Sequence, residues 1–176
     1  MARGAWRSIV CAAVVAATLA VPATAAAPSG IRTEGALQRS ILAEINAVRA
    51  AHGLAAVGRN RALDRAAEGH SRAMARLGFF AHASRDGTVF WKRVARSYGS
   101  QGYARWAVGE NLLWSTSALD GAGAVRMWLN SPPHRRVLLG TRWLEVGISA
   151  VHADAAPGTF RGRDVTIVTT DFGVRG

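Results

Sequence analysis

The spacing of apolar residues changes once along the chain, from a helical repeat to a strand repeat. In residues 34–51 and 61–77 apolar side chains recur every three to four positions, which is typical of amphipathic helices. In residues 143–152 apolar residues alternate with polar or small ones, which indicates a strand with one buried face. Residues 163–174 read as a second strand. Helices followed by an antiparallel hairpin predict an α+β fold, with helices packed on an antiparallel sheet.

Shorter elements are predicted between these two regions. We expect helices over residues 89–97 and 118–130, and a strand over 110–114. Two prolines after Ser131 suit the first turn of a short helix, because their missing N–H groups would have no partner there. Local signals also bound the helix over 61–77, with Asn60 and Gly78 as its expected caps.

The N-terminus has the pattern of a secretory signal peptide. Arg3 and Arg7 form a charged region, residues 9–21 are almost wholly apolar, and an A-x-A motif follows. The predicted organisation is a signal peptide over 1–25, a flexible lead over 26–35 and one domain over 36–176. We therefore expect a secreted protein, with an uncleaved N-terminal anchor as the alternative. The single cysteine, Cys11, would leave with the signal peptide, so no disulfide is expected.

The charge of the chain is strongly positive. The net charge is +11, and +9 remains without the two arginines of the signal peptide. A basic exported protein attracts anionic partners, which include wall polymers, lipid head groups and nucleic acid. The arginines are scattered, however, and no zinc finger, phosphate-binding loop or RNA-binding motif accompanies them. Nucleic acid is therefore disfavoured as a partner.

Five histidines follow the signal peptide, and their positions differ in kind. His70 falls on the inner stripe of a predicted helix, where a histidine usually hydrogen-bonds within the core. His52 is placed at a helix end, and His152 near a strand end with an exposed side chain. His82 and His134 lie in a loop and at a helix start, where functional side chains are more frequent. They are the candidate functional histidines.

Two glutamates are the candidate functional carboxylates. Glu110 stands in A-V-G-E-N-L-L-W, between a glycine and an apolar run. Because burial of an unpaired carboxylate is costly, it lies either at a turn in water or in a polar cavity with other ionisable groups. Glu145 falls in the middle of a predicted strand, on the face opposite Leu144 and Val146. A solvated strand face and a cavity position are both open for it.

Several motifs of hydrolases are absent from the sequence. There is no H-E-x-x-H pair, no G-x-S-x-G elbow and no cysteine nucleophile after the signal peptide. D-F-G at residues 171–173 ends a predicted strand without the other kinase motifs, and it therefore indicates no kinase.

Seven short motifs occur in a fixed order over residues 41–173. They are N-A-V-R-A-A-H-G-L, L-D-R-A-A-E-G-H-S-R-A-M, G-F-F-A-H-A-S-R-D-G, G-E-N, W-L-N-S-P-P-H-R, E-V-G-I-S and D-F-G. In this order they resemble the bacterial, cysteine-free branch of the CAP superfamily. The superfamily is named for cysteine-rich secretory proteins, antigen 5 and pathogenesis-related proteins, and its domain is also called SCP.

The resemblance implies an α–β–α sandwich with a central antiparallel sheet and an open cavity. In eukaryotic relatives the cavity holds two histidines and two glutamates, and the histidines can bind a divalent ion such as zinc. His82 and Glu110 match the first histidine and first glutamate of that set. The later residues depart from the eukaryotic order, and the resemblance implies His134 and Glu145 as the other cavity members. His82 and His134 are then the expected metal ligands.

The expected function is a binding module with a His/Glu cavity. Its ligand would be a cell-wall polymer, a lipid or another protein. The alternative is a metal-dependent hydrolase acting on an extracellular substrate, with a carboxylate as the general base on metal-bound water. A third possibility is that the four residues only tie the helices to the sheet. The sequence leaves open whether the protein is an enzyme.

Overall fold

The computed structural model describes residues 30–176. The predicted signal peptide over 1–25, with Cys11, lies outside the described residues. Part of the predicted flexible lead is ordered, because Ile31–Thr33 forms strand β1. Its residues pair with a later strand, Ile31 opposite Ala153 and Thr33 opposite Val151. The folded domain therefore includes residues ahead of the predicted boundary at residue 36.

Five helices lie close to their predicted positions. They are α1 Gly35–Ala51, α2 Arg61–Leu77, α3 Phe90–Ala95, α4 Gly121–Leu129 and α5 Pro132–Leu138. The bounds of α2 are as predicted. The side-chain oxygen of Asn60 accepts hydrogen bonds from the N–H groups of Ala62 and Leu63, and Gly78 ends the helix at φ 65°. The apolar repeat over 61–77 would place Leu77 on the buried face of α2, but Leu77 is 47% exposed. The buried stripe instead shifts toward Ser71 and Ala75.

The remaining strands form one sheet with β1. They are β2 Gly58–Arg59, β3 Trp106–Ser115, β4 Glu145–Ala156 and β5 Arg163–Arg175. The strand order is β1-β4-β5-β3, with β2 pairing in parallel along β4. The hairpin of β4 and β5 is antiparallel as predicted, and β3 pairs antiparallel with β5. Among the described strands β5 therefore lies between two long partners, and β3 forms an edge.

Helices cover both faces of the sheet. On one face, α2 packs Met74 and Ala75 against Val151 and Ile167 of β4 and β5. On the other face, α1, α4 and α5 bury a larger cluster, which is Ile41, Ile45, Val125, Trp128, Leu138, Val146, Ile148 and Phe172. The expected α–β–α sandwich is confirmed. No helix in residues 30–176 is long and apolar enough to cross a membrane.

Helix α2 approaches strand β4 very closely at Gly147. A Cβ atom at this position would lie 2.1 Å from the backbone carbonyl carbon of Leu63 and 2.3 Å from the backbone nitrogen of Asp64. On β5, a Cβ at Gly173 would lie 2.9 Å from the ring of Tyr98. These two glycines let the start of α2 and Tyr98 lie directly on the sheet, at the end where Glu145 begins β4.

Candidate functional site

The carboxylate of Glu110 is buried and paired on both oxygens. The Nδ1–H of His82 donates to Oε1 at 2.8 Å, and Nη2 of Arg93 donates to Oε2. The side chain of Glu110 is 0% exposed and that of Arg93 is 11% exposed, whereas that of His82 is 52% exposed. The charge of Glu110 is thus compensated within the protein. The imidazole of His82 is the part of this group that reaches solvent.

The loop that carries His82 is fixed from two sides. The ring of His70 in α2 donates its Nε2–H to the carbonyl of Ala81 at 2.8 Å, and it packs edge-on against Phe79. Nη1 of Arg93 in α3 donates to the carbonyl of His82 at 2.8 Å. The interpretation of His70 as a core histidine is confirmed, since it is 1% exposed. Arg93 therefore orients both members of the His82–Glu110 pair.

A second buried carboxyl group lies beside Glu110. Asp171 of β5 is directly opposite Glu110 of β3 in the sheet register, and it is fully buried. Neither of its carboxyl oxygens makes a well-formed hydrogen bond within residues 30–176. Burial raises the pKa of Asp171 well above its usual range, and the negative charge of Glu110 raises it further. The folded protein therefore favours the protonated form of Asp171 beside the charged Glu110.

Replacement of Asp171 by asparagine should stabilise the protein more at pH 7.5 than at pH 4.5. The raised pKa favours the neutral form of Asp171 in the folded state, whereas the unfolded chain loses this proton above about pH 4. Its contribution to stability is therefore complete at low pH and is lost as pH rises, by at most about 1.4 kcal/mol per pH unit. Urea unfolding of wild type and variant at both pH values would measure this. A difference that does not change with pH would contradict the assignment.

His82 and Glu110 line a cavity of about 570 Å³ along the outer edge of β3. Its floor includes Val108 and Gly109, and His82 and Phe90 form one wall. The opposite wall comes from α5 and the segment after it, namely Pro133, Arg136, Val137, Gly140, Arg142 and Trp143. The cavity therefore lies between the two helical layers, at the free side of the sheet.

His134 lies beside this cavity and lines a smaller one. The second cavity, of about 260 Å³, is mostly apolar and includes Phe80, Leu112 and Trp128. The side chain of Asn111 donates to the carbonyl of His134 at 3.0 Å, which ties α5 to β3. Burial lowers the pKa of His134, and the nearby His82 lowers it further. The two candidate histidines are thus electrostatic neighbours, and His134 is held neutral.

The structure places Glu145 apart from His82 and Glu110. Glu145 of β4 is opposite Gly173, whereas Glu110 of β3 is opposite Asp171, so β5 lies between the two glutamates. With two strand spacings and a two-residue offset, their Cα atoms are on the order of 12 Å apart. Glu145 is only partly exposed, and it accepts hydrogen bonds from the side chains of Asn60 and Tyr98. Glu145 therefore lies neither on a solvated strand face nor in the cavity that His82 and Glu110 share.

The chemistry of this site depends on two residues that sequence reasoning did not select. Arg93 was one of many scattered arginines, and its pairing with Glu110 depends on a contact between α3 and β3. Asp171 stands in the D-F-G motif, which we set aside because it indicates no kinase. A buried aspartate in an apolar strand, at the register position opposite Glu110, is the signal that would have found it.

Comparison with known proteins identifies the family. The sequence model of the CAP family, described as the cysteine-rich secretory protein family, matches residues 42–169. The chain belongs to the CAP family. A curated relative, the uncharacterized membrane protein YlbC of Bacillus subtilis (strain 168), is 31% identical over 111 residues. That match covers 63% of this chain and only 30% of YlbC, so the chain spans less than a third of that relative.

Solved structures of bacterial proteins share the CAP fold. An extracellular protein with an SCP domain from Bacillus anthracis str. Ames aligns with a TM-score of 0.59 and 27% identity, over 80% of this chain and 40% of that one. An outer surface protein from Borrelia burgdorferi aligns with a TM-score of 0.64 and 20% identity, over 84% of this chain and 98% of that one. At the latter identity the likeness shows the fold alone. The chain is a bacterial member of the superfamily.

One cluster of potential metal ligands lies outside the cavity of this CAP domain. Within residues 30–176, the single group of three or more potential ligands that come close together is His152, Asp154 and Asp164. It lies on β4 and β5, about five residues along β5 from Asp171. The side chain of Arg32 already contacts Asp154 at 3.2 Å. His152, expected to be exposed, is 21% exposed and lies 3.2 Å from the same carboxylate.

Proposed function

We propose that this CAP domain is a secreted binding module whose ligand site is the cavity beside His82 and Glu110. The observation that carries the proposal is the fully paired Glu110 carboxylate at the wall of a cavity of about 570 Å³. The cavity has the size of a small-molecule or peptide site, and it combines apolar walls with a few oriented polar groups. Secretion is supported by the signal-peptide pattern and by the extracellular relative from Bacillus anthracis.

The donor chemistry of His82 and His134 fits a divalent metal ion such as zinc. Histidines that bind metals usually donate their other ring N–H to a carboxylate, and the Nδ1–H of His82 donates to Glu110 in this way. The Nε2 lone pair of His82 is then available, and His134 is held neutral, as a metal ligand must be. We propose that these two histidines hold the ion, which would offer open positions to a ligand.

Binding is favoured over metal-dependent hydrolysis by the state of the two glutamates. A general base needs a free carboxylate oxygen within reach of the attacking water. The side chain of Glu110 is 0% exposed and already accepts hydrogen bonds from His82 and Arg93. Glu145 does not line the cavity, and it accepts hydrogen bonds from Asn60 and Tyr98. Catalytic zinc also commonly has three protein ligands, whereas only two are proposed here.

Calorimetric titration with Zn²⁺ at pH 7.5 tests the metal site. The mature protein should bind one ion, and His82→Ala and His134→Ala should each weaken binding at least about ten-fold, because each removes a ligand. His52→Ala is the matched control, since His52 lies exposed at the end of α1 and its ring hydrogen-bonds to the carbonyl of Val48, away from the cavity. Equal affinity in all four proteins would exclude the two histidines as ligands.

A further inference from the structure

We infer that the cavity of this CAP domain binds an extended acidic peptide, which adds to the outer edge of β3 at Val108 and Glu110. This inference rests on the proposed binding role of the same cavity, and it names the class of ligand. Three observations carry it, namely the direction of the β3 backbone groups, the open space beside them and the positive charge of the facing wall.

The backbone groups of Val108 and Glu110 point away from the sheet. Arg105 and Gly176 exchange two backbone hydrogen bonds, of 2.8 and 3.1 Å, so Arg105 faces β5 with both of its groups. In an antiparallel pair this orientation alternates, which turns the N–H and C=O groups of residues 106, 108, 110 and 112 outward. The carbonyl of Leu112 confirms the alternation, because it accepts a hydrogen bond from Trp128 of α4 at 3.1 Å.

These outward groups are covered at Leu112 and open at Val108 and Glu110. The ring of Trp128 closes the edge of β3 at Leu112, whereas Val108, Gly109 and Glu110 line the large cavity. Beyond the β3–β5 ladder, the backbones of Val108 and Glu110 make no hydrogen bond to any other described residue. An unpaired edge of this kind is a template for another strand. One added strand would satisfy four backbone groups over about 7 Å.

The wall opposite His82 selects an acidic side chain. Arg136 and Arg142 line it with exposed side chains, and neither forms an ion pair with a carboxylate in residues 30–176. Within the cavity Glu110 does not offset them, because Arg93 already compensates its charge. Side chains of an extended peptide alternate between two faces, so an acidic residue facing these arginines has neighbours that face Phe90 and His82. Apolar or aromatic residues fit that second face.

A capped five-residue peptide with a central glutamate between two phenylalanines, labelled with fluorescein, tests the inference by fluorescence anisotropy. We expect it to bind the mature protein at least ten-fold more tightly than the same peptide with a central lysine. Arg136→Glu should remove this preference. Arg135→Glu, the adjacent exposed residue of α5 that does not line the cavity, is the matched control and should retain it. Equal affinity for both peptides would overturn the acidic specificity.

Hydrogen exchange and N-methylated peptides test whether the peptide backbone pairs with β3. Addition of the glutamate peptide should slow hydrogen exchange of the Val108 and Glu110 amides at least ten-fold, and should leave Gly109 unchanged because its groups already face β5. N-methylation of the peptide amides on one edge should abolish binding, and N-methylation on the other edge should not. If both methylated peptides bind equally well, strand addition is wrong. If the protein binds Zn²⁺ but not the peptide, only the inferred ligand class is wrong. If it binds neither Zn²⁺ nor the peptide, the proposed function is wrong as well.

Discussion

Replacement of Arg93 by methionine is expected to destabilise the protein by about 3–5 kcal/mol, which is the usual cost of removing one partner from a buried ion pair. Glu110 is 0% exposed, and the methionine side chain would leave its carboxylate without its cationic partner, with the hydrogen bond from His82 remaining. The carbonyl of His82 would lose its hydrogen bond from Arg93 as well. Urea unfolding at pH 7.5 would measure the loss.

A double-mutant cycle separates the ion pair from the packing of the arginine side chain. Glu110→Gln removes the charge, so Arg93→Met combined with Glu110→Gln should cost less than the sum of the two single replacements. Arg32→Met is the surface control. Its ion pairs with Glu34 and Asp154 are exposed, and such pairs contribute at most about 1 kcal/mol. A cost of less than 1 kcal/mol for Arg93→Met, similar to the surface control, would refute this account of the site.

Replacement of Gly147 by alanine should cost at least about 3 kcal/mol, at the upper end of overpacking effects. The added methyl group would meet backbone atoms of Leu63 and Asp64 at 2.1 and 2.3 Å, and a backbone cannot rotate away as a flexible side chain can. Helix α2 would have to move off the sheet. Thermal and urea unfolding would measure the effect.

Gly69→Ala provides the matched control within α2. A Cβ atom at Gly69 would have no neighbour within 4 Å, and the position is exposed. Alanine should therefore stabilise the helix by roughly 0.5–1 kcal/mol, because glycine loses more backbone entropy in a helix. If both replacements had the same small effect, α2 would not lie as close to β4 as described.

Helix α2 was predictable because its signals are local. The oxygen of Asn60, the apolar stripe and Gly78 act within a few residues of the helix, and each can be recognised in the sequence. Strand β3 was predicted too short, over 110–114 instead of Trp106–Ser115. Its extra residues are held by pairing with β5, about sixty positions later in the chain, and no local pattern reports that pairing.

The candidate site was predictable only in part for the same reason. Placing His82 beside Glu110 relied on the family resemblance, and the structure brings them to 2.8 Å. Glu145 is separated from Glu110 because β5 lies between their two strands. The alternation of residues within one strand does not indicate the order of strands in the sheet. Asp171 and Arg93 reach Glu110 across the sheet and from α3, and neither contact follows from spacing along the chain.

The strand order also dictates when the sheet can form during synthesis. Strand β3 pairs with no earlier strand in the described part of the chain, because its ladder is made with Arg163–Arg175. Until that segment emerges, the apolar residues of β3 and the facing sides of the helices remain uncovered, although α1 and α2 can already form. At a typical synthesis rate of about 5–20 residues per second, this open interval lasts several seconds. The nascent chain therefore passes through a stage at which chaperone capture competes with closure of the sheet.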